Sequence, residues 1–473
     1  MGISFNPSTL LNGQGIDVSS LVQQVMSESS GQLTTWQNEL GTLQSQSSDL
    51  TTINSNLSSL ATAVQALSDP LGALTAQTAT SSDSGILTAS AASGAVAGRH
   101  QIVVSNLASP GLVYTNDFAG GANASILSDG ATSGEIDLQI GGSGGTTQPI
   151  TITAGSNDTL ATLAAYINTQ NWGVTANVVT DANGSRLALE SQSTGTPSAL
   201  AITGNTNTGL SFNSPSGGAN ASLTIDGVPY SSTSNAITGA IAGVTLNLAG
   251  SSPDTPATVT VGVDTTQITD AINSFVSAYN QVIGDINQEV TINASTNTQG
   301  PLGTDSSVAD LQSSLLSDAA FSVTGNSGYV NLASLGINTN NDGTLTVDSS
   351  QLSSVLSSNP SAVQNFFQNS TSTGFANNFN TDLTGLTDPV TGPLNVDLTQ
   401  NNAEQQDLTN SITNFQAQLT AEQTQLTNEY NQVNASLQAY PLLLQQVTET
   451  LATMDSGSSS TSGSSSPTLT SGL

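Results

Sequence analysis

The sequence contains neither cysteine nor lysine, and its two strongly basic residues are Arg99 and Arg186. The absence of cysteine excludes disulfides, thiolate nucleophiles and cysteine metal sites. Phosphate-binding and Schiff-base chemistry lose lysine, the residue that they most often use. The chain has 33 acidic residues and a formal net charge of −31. Because nucleic acids and anionic membranes bind through clusters of lysine and arginine, we predict that neither is a partner.

Aromatic residues and long apolar runs are also scarce. No run approaches the length of a membrane span, so we expect no membrane insertion. Residues 1–7 lack the basic and apolar regions of a cleavable secretory signal. Aromatic residues make up 4% of the chain, but hydrophobic residues as a whole make up 36%. A chain of 473 residues with this content is long enough to bury several cores, which permits two to four domains.

Near the start of the chain, apolar residues recur at alternating spacings of three and four. This is the a/d pattern of a coiled coil, in which one face of a helix packs against another helix. Ser47 interrupts the pattern, and Asp69-Pro70 ends it because proline disfavours helix at the preceding residue. The predicted helix over 33–67 is about 50 Å long. We call its apolar stripe the N-terminal seam: Leu33, Trp36, Leu40, Leu43, Leu50, Ile53, Leu57, Leu60, Val64 and Leu67.

A second stripe with the same spacing lies near the end of the chain. Glu422 and Glu429 fall within it, and because buried acids are costly, we expect those turns to be loose or wet. Pro441 is predicted to kink the helix or to divide it in two. We call this stripe the C-terminal seam: Leu408, Ile412, Phe415, Leu419, Leu426, Val433, Leu437, Tyr440, Leu444, Val447, Leu451 and Met454.

We expect the two seams to pack together, so that both ends of the chain form one helical leg. An amphipathic stripe more often belongs to an internal core than to a partner surface, and the sequence leaves both uses open. The candidate contact residues for subunits or partners are Leu33, Trp36, Leu40, Leu43, Leu50, Ile53, Leu57, Leu60, Leu408, Ile412, Phe415, Leu419, Leu426 and Val433.

Between the seams, residues 74–264 show the alternation of short strands. Asn183-Gly184 and Asp226-Gly227 are typical hairpin turns. Residues 159–167 are instead predicted to form a single helix, with Asp158 as its N-cap.

Helical spacing marks the flanks of this strand region. A first helix, capped by Asp17 or Ser19, precedes the N-terminal seam. Helical spacing returns at 268–286, and short helices alternate with a hairpin at 335–347 before the C-terminal seam.

The predicted fold class is α+β and multi-domain, with a helical coiled-coil leg from both termini and an inserted β-rich head of two small domains. The tail is rich in serine and glycine, a composition typical of disorder. The predicted domains are the N-terminal leg at 1–73, the first part of one head domain at 74–115, an inserted αβ head domain at 116–212, the second part of the head domain at 213–266, a helical domain with a hairpin at 267–400, the C-terminal leg at 401–454 and a disordered tail at 455–473.

Two stretches contain candidate residues for a chemical site. The run from Asn338 to Gly343 resembles the start of a calcium loop, but Ser349 stands where the loop needs glutamate, which favours a hairpin turn. His100, the only histidine, has no nucleophile motif nearby and is interpreted as a strand-start or surface residue. We predict no catalytic residue, no cofactor and no metal.

Several segments, in chain order, carry a family resemblance over most of residues 15–454. They are 15–26 (GIDVSSLVQQVM), 98–108 (GRHQIVVSNLA), 160–168 with 174–176 and 186–191, 237–246 (ITGAIAGVTL), 272–280 (INSFVSAYN), 300–303 (GPLG), 335–337 (LGI) and 342–345 (DGTL). Together they resemble the bacterial flagellar filament cap family, also called hook-associated protein 2. The segments within 160–191 resemble a small αβ module that this family shares with flagellins and hook proteins.

The resemblance implies a structural protein rather than an enzyme. Members of this family leave the cell through the flagellar type III export channel without signal cleavage. They assemble as a ring, often a pentamer, at the tip of the growing filament, where flagellin subunits fold and insert. The implied partners are other copies of the chain, flagellin, the hook–filament junction proteins and an export chaperone.

Other functions were weighed against this one. Another flagellar axial subunit, a flagellin or a junction protein, is disfavoured because the terminal motifs of flagellin are missing and junction proteins lack the opening segment at 15–26. A surface adhesin that binds host glycans through the β-rich head is the alternative from another class. A hydrolase is the weakest alternative, since no residues are available to assign to it.

Overall fold

The structure is a computed structural model that describes residues 17–295, 297–368 and 373–457. The chain divides into two compact units. The first comprises Met1–Ser58, Gln281–Leu315 and Leu383–Leu473, and the second comprises Ser59–Asn280 and Leu316–Asp382. Residues 1–7, for which the sequence predicts no cleavable signal, lie outside the described residues.

Helices lie at both ends of the described chain, between residues 265 and 386, and at 160–169 within the strand region. The first begins where the Asp17 carboxylate accepts the backbone N–H groups of Ser19 and Ser20 at 3.1 and 3.2 Å, as predicted. The second ends at Ser68, directly before Asp69-Pro70. The helices are α1 (Val18–Ser29), α2 (Gly31–Ser68), α3 (Leu160–Thr169), α4 (Thr265–Val290), α5 (Ser306–Ala319), α6 (Ser349–Ser358), α7 (Pro360–Phe367), α8 (Phe375–Leu386) and α9 (Pro393–Gly457).

The strands fall in the regions predicted for them, and the α+β class is confirmed. They are β1 (Gln77–Ser81), β2 (Leu87–Ala91), β3 (Gly98–Asn106), β4 (Ser109–Thr115), β5 (Ser133–Ile140), β6 (Thr146–Thr153), β7 (Val174–Asp181), β8 (Gly184–Ser191), β9 (Leu200–Thr206), β10 (Phe212–Ala219), β11 (Ala221–Ile225), β12 (Val228–Ser232), β13 (Ala236–Ile241), β14 (Val244–Leu248), β15 (Ser252–Val263), β16 (Ile337–Thr339) and β17 (Leu345–Val347). Every strand pair is antiparallel, in sheets of order β1-β15-β3-β11-β12, β10-β4-β8-β7, β13-β14-β2, β6-β5-β9 and β16-β17.

Both hairpin turns signalled by the sequence are present. Strands β7 and β8 pair along their length, from Val174 opposite Ser191 to Asp181 opposite Gly184 at the turn. Strands β11 and β12 meet at Asp226 and Gly227, which adopt the left-handed φ angles of +51° and +83°. Asn, Asp and Gly tolerate that conformation better than other residues, which explains the dipeptide at this turn.

The predicted cap of helix α3 is wrong by one residue. Thr159, not Asp158, is the N-cap, since its hydroxyl accepts the N–H of Thr162 while the Thr162 hydroxyl accepts the N–H of Thr159. In this reciprocal capping box each of two backbone N–H groups has its own side-chain acceptor. Asp158 alone would offer a single side chain to both N–H groups.

The second unit contains two apolar cores and a group of aromatic side chains. One core is built from strands of the five-stranded sheet and of the β13-β14-β2 sheet, with Ile102, Val104 and Leu246 fully buried. The other core contains side chains of α3, β5, β6, β7 and β8, several of them fully buried, and α3 packs on β7 and β8. The aromatic group contains Phe275, Tyr279, Phe366, Phe367, Phe375 and Phe379, with ring centroids between 5.0 and 6.3 Å apart. Such contacts join α4, α7 and α8.

Two predictions about the end of the chain need correction. Helix α9 continues through Pro441, so the predicted division into two helices is wrong. Proline removes one hydrogen bond, and at this exposed stretch water can reach the carbonyl left without a donor. Residues 455–457 belong to α9 rather than to a disordered tail, because adding turns to an existing helix costs far less than starting one. The rest of the predicted tail, 458–473, lies outside the described residues.

Candidate functional site

In the first unit, α2 and α9 pack side by side along the two seams. The rings of Trp36 and Phe415 meet edge to face, with centroids 5.4 Å apart. Farther along, the Asn54 side-chain amide donates to Asn395 Oδ1 at 2.9 Å. Residue numbers rise along one helix while they fall along the other, so the two helices are antiparallel.

A polar layer fills the gap that Ser47 leaves in the N-terminal seam. The Ser47 hydroxyl donates to Asn401 Oδ1 at 3.0 Å, and Gln405 Nε2 donates to Ser47 Oγ at 2.6 Å and to the Leu43 carbonyl at 3.2 Å. Asn401 also donates to Gln46 Oε1 at 3.1 Å and is 8% exposed. Sequence reasoning missed Asn401 and Gln405, although they stand one heptad before Leu408 and Ile412 in the same stripe.

Burial divides the N-terminal seam into two parts. Leu50, Ile53, Leu57 and Leu60 are at most 2% exposed and belong to the interior of the chain itself. Leu33, Trp36, Leu40 and Leu43 are only half-buried. The part nearer the chain start therefore keeps apolar surface open.

The C-terminal seam becomes more exposed toward the chain end. Ile412 and Leu419 are each 8% exposed, and Leu408, Phe415 and Leu426 are half-buried. Val433 is 50% exposed. Beyond it, the seam residues that are at least half exposed, which we call the terminal face, are Tyr440, Leu444, Val447, Leu451 and Met454.

Helix α9 also presents two acidic residues to solvent and contacts α1. Glu422 and Glu429 are exposed, as the prediction of wet turns requires, and Glu429 accepts a hydrogen bond from Gln425. Helix α1 packs against α9 and buries Val22.

The only histidine lies at an open pocket of about 370 Å³ in the second unit. His100 Nδ1 lies 2.8 Å from Asp226 Oδ2, and Asp226 Oδ1 accepts the Gln101 N–H at 2.8 Å. The hydrogen bond from His100 lowers the pKa of Asp226. Among the residues that the structure describes, no serine or threonine lines this pocket, so none of them places a nucleophile beside the histidine and aspartate there.

The calcium-loop alternative is replaced by a hairpin turn between β16 and β17. Asp342 Oδ1 accepts the Thr344 N–H at 3.0 Å and the Thr344 hydroxyl at 2.6 Å, and these bonds lower the pKa of Asp342. Within the described residues, no group of three or more His, Cys, Asp or Glu residues is placed to hold a metal ion. Within the same residues, no helix is long and apolar enough to cross a membrane.

Profiles of known protein families match the chain over parts of both seams and over the region between them. The profile of the flagellar hook-associated protein 2 N-terminus matches residues 14–110, and that of its C-terminus matches 218–440. The flagellin hook IN motif matches 137–193, where the sequence predicted the shared αβ module. The B-type flagellar hook-associated protein 2 of Pseudomonas aeruginosa is 30% identical over 419 residues, covering 81% of this chain and 84% of that protein.

This chain belongs to the flagellar hook-associated protein 2 family. The relative from Escherichia coli K12 is 27% identical over 379 residues, covering 75% of this chain and 79% of that protein. Among solved structures, the D1-D2-D3 domains of the flagellar cap protein FliD from Escherichia coli match with a TM-score of 0.59 at 27% identity. That match covers 75% of this chain and 99% of the other. The family resemblance predicted from the sequence is confirmed.

Proposed function

We propose that this chain caps the distal end of the bacterial flagellar filament and promotes the folding and insertion of flagellin subunits. The observation that carries the proposal is the structural match to the flagellar cap protein of Escherichia coli, which spans 99% of that chain. The protein acts at the filament tip after export through the flagellar type III channel. Its role is structural, and we assign it no catalytic residue.

We propose that α2 and α9 form a coiled-coil leg whose open surface meets neighbouring subunits. The antiparallel packing of Trp36 on Phe415 and the polar layer at Ser47 support this role. Fully buried seam residues hold the leg together rather than contact partners. The proposed contact residues are Leu33, Trp36, Leu40, Leu43, Leu408, Phe415, Leu426 and Val433.

The proposed partners are the proteins that this chain would meet on its way to the filament tip and at the tip itself. Other copies of this chain form a closed ring at the tip, for which we propose a pentamer. Flagellin meets the ring from below, the hook–filament junction proteins receive it before the filament grows, and an export chaperone binds the chain before secretion. The open apolar seam supports this set, because such a surface needs cover in each of these states.

Strand pairing supports a change in the proposed domain limits. Strand β4 pairs with β8 and with β10, although the predicted limits place β4 and β10 outside the inserted αβ head domain. We therefore propose that this domain extends from 109 to 219. We also extend the C-terminal leg to 457, where α9 ends, and keep the other limits as proposals.

Deleting the gene tests the function directly. We expect flagellin to be secreted into the medium without polymerising, and a plasmid copy of the gene to restore filaments. Normal filaments in the deletion strain would contradict the cap role. Electron microscopy of the purified chain separates a cap from another axial subunit, since a cap forms small closed rings and flagellin forms long filaments.

A further inference from the structure

The pocket beside His100 is built from three neighbouring chain segments of the second unit. The segment from Val96 to His100 leads into β3, Asp226 starts the turn between β11 and β12, and Ala242 lies in the turn between β13 and β14. Neither the two seams nor the terminal face contributes to it. The pocket therefore needs its own explanation.

Hydrogen bonds and close packing fix the pocket walls. The Ala92 N–H donates to the Gly243 carbonyl at 2.8 Å. Gly243 has a left-handed φ of +73°, and a Cβ there would lie 2.9 Å from the Cα of Ala95. Opposite this turn, both carboxylate oxygens of Asp226 accept hydrogen bonds from β3. A site held in this way needs little reorganisation when a ligand arrives.

Arg99 supplies a positive charge to the pocket. Its side chain lines the pocket and is exposed, and in the described part of the chain it forms no ion pair. Asp226 is instead engaged by His100 and Gln101. The other arginine, Arg186, is held by Asp117 and lies 3.5 Å from Asp181.

Apolar side chains stand next to this charge. Val96 is 71% exposed at the pocket, and Ile225 and Ile241 complete an aliphatic wall. A guanidinium beside aliphatic carbon suits a carboxylate on a short aliphatic stem, which is the side chain of aspartate or glutamate.

We propose that this pocket receives an acidic side chain from a second copy of this chain. Each copy carries 33 acidic residues against two arginines, so two copies repel each other at most surfaces. The exposed Arg99 is a point where the approach of a carboxylate is favourable. Charge complementarity therefore selects this pocket as a contact between copies. The inference rests on the self-assembly in the proposed function and names where one contact lies.

The absence of lysine provides a sharp test. In Arg99→Lys, the new ε-amino group is the only side-chain amine of the full chain, so a zero-length carbodiimide couples it to a carboxylate only where the two touch. We expect covalent dimers, with mass spectrometry locating the bond between position 99 and an Asp or Glu of the other copy. Arg186→Lys is the matched control, and we expect it to couple within one chain, to Asp117 or Asp181.

Sedimentation of the full chain measures the strength of the contact. We expect Arg99→Gln to raise the concentration at half-association about three- to tenfold at low salt, and Arg186→Gln to change it by less than about twofold. Thermal unfolding of Arg99→Gln should match wild type, because Arg99 makes no ion pair in the described structure.

Several results of these experiments would contradict the contact at Arg99. Equal association of the two glutamine variants, equal dimer yields of the two lysine variants, or a wild-type chain that stays monomeric would overturn the inference. Coupling of Arg99→Lys to added flagellin instead of to a second copy would also overturn it. Filament growth in the complemented deletion strain judges the cap role separately, so a normal ring without coupling at position 99 refutes only the pocket contact.

Discussion

Asp318, near the end of α5, is a buried carboxyl group that is 5% exposed. Burial, and after it the neighbouring Asp382 of α8, raises its pKa to about 8. Burial also raises the pKa of Tyr279, and the charge of Asp318 adds to that shift. A carboxyl group whose pKa is higher in the folded chain than in the unfolded chain binds its proton more tightly when folded. Its contribution to stability is therefore full below about pH 4 and is lost as the pH rises through about 8.

We predict that Asp318→Asn reduces this pH dependence. Between about pH 5 and pH 9, the free energy of unfolding should fall more steeply in wild type than in the variant, leaving the variant about 2 kcal/mol more stable at the higher pH. Urea unfolding across this range measures the difference. The exposed Asp310→Asn on the same helix is the control, and equal slopes in Asp318→Asn and wild type would refute the prediction.

Asn401 is the second residue whose environment makes a specific prediction. Its side-chain amide accepts from Ser47 and donates to Gln46 across to α2, and it accepts from Gln405 within α9. Asn401→Ala removes these hydrogen bonds and leaves their partners unsatisfied in a half-buried layer. We therefore expect a loss of about 1–2 kcal/mol in the free energy of unfolding. The exposed Asn410→Ala on the same helix should cost less than about 0.5 kcal/mol. A similar cost for both variants would show that the layer contributes nothing.

At the scale of the element, the N-terminal seam is part core and part surface. Leu57 is completely buried, so Leu57→Ala should lower the free energy of unfolding by about 3 kcal/mol. Leu57→Asp should unfold the leg and abolish filament growth, because an unpaired charge would be buried. Chemical denaturation and motility plates measure the two effects. Normal motility of Leu57→Asp would contradict the proposed role of the leg.

For the terminal face of α9 we predict an effect on filaments without a loss of stability. Leu444 is 57% exposed, so Leu444→Asp should change the free energy of unfolding by less than about 0.5 kcal/mol. We predict that the terminal face adds to the contact residues proposed above, since it continues their open apolar stripe, so the same variant should shorten filaments or prevent them. The exposed Gln445→Asp adds the same charge beside the face and is the control. Filaments of normal length with Leu444→Asp would restrict the contact surface to earlier seam residues.

At the scale of the whole molecule, the net charge of −31 opposes the meeting of copies. Salt screens this repulsion, since the Debye length falls from about 30 Å at 0.01 M to about 8 Å at 0.15 M. We predict that added sodium chloride strengthens self-association, while the difference between wild type and Arg99→Gln becomes smaller. Sedimentation at several salt concentrations measures both trends. Weaker association of wild type in salt would show that attraction between charges, rather than repulsion, dominates the assembly.

Local features were predictable from sequence where the deciding residues lie close together in the chain. The Asp17 cap, the end of α2 before Pro70 and the hairpin turn at Asp226-Gly227 all follow from neighbouring residues. The cap at Thr159 was missed because two adjacent candidates compete, and the reciprocal bond with Thr162 decides between them. At Pro441 the sequence left a kink and a division open, and α9 stays undivided because the intact turns on either side outweigh one lost hydrogen bond.

The sequence by itself determined the seams, the turn chemistry, the excess of acid and the segments that identify the family, because each depends on residue types and short spacings. Only the tertiary structure decided that Leu57 is core while Leu444 is surface, and that Asn401 fills the gap opposite Ser47. It also decided that, among the described residues, Arg186 forms an ion pair and Arg99 does not. Burial and pairing depend on which distant segment packs over a residue, and short spacings carry no record of that segment.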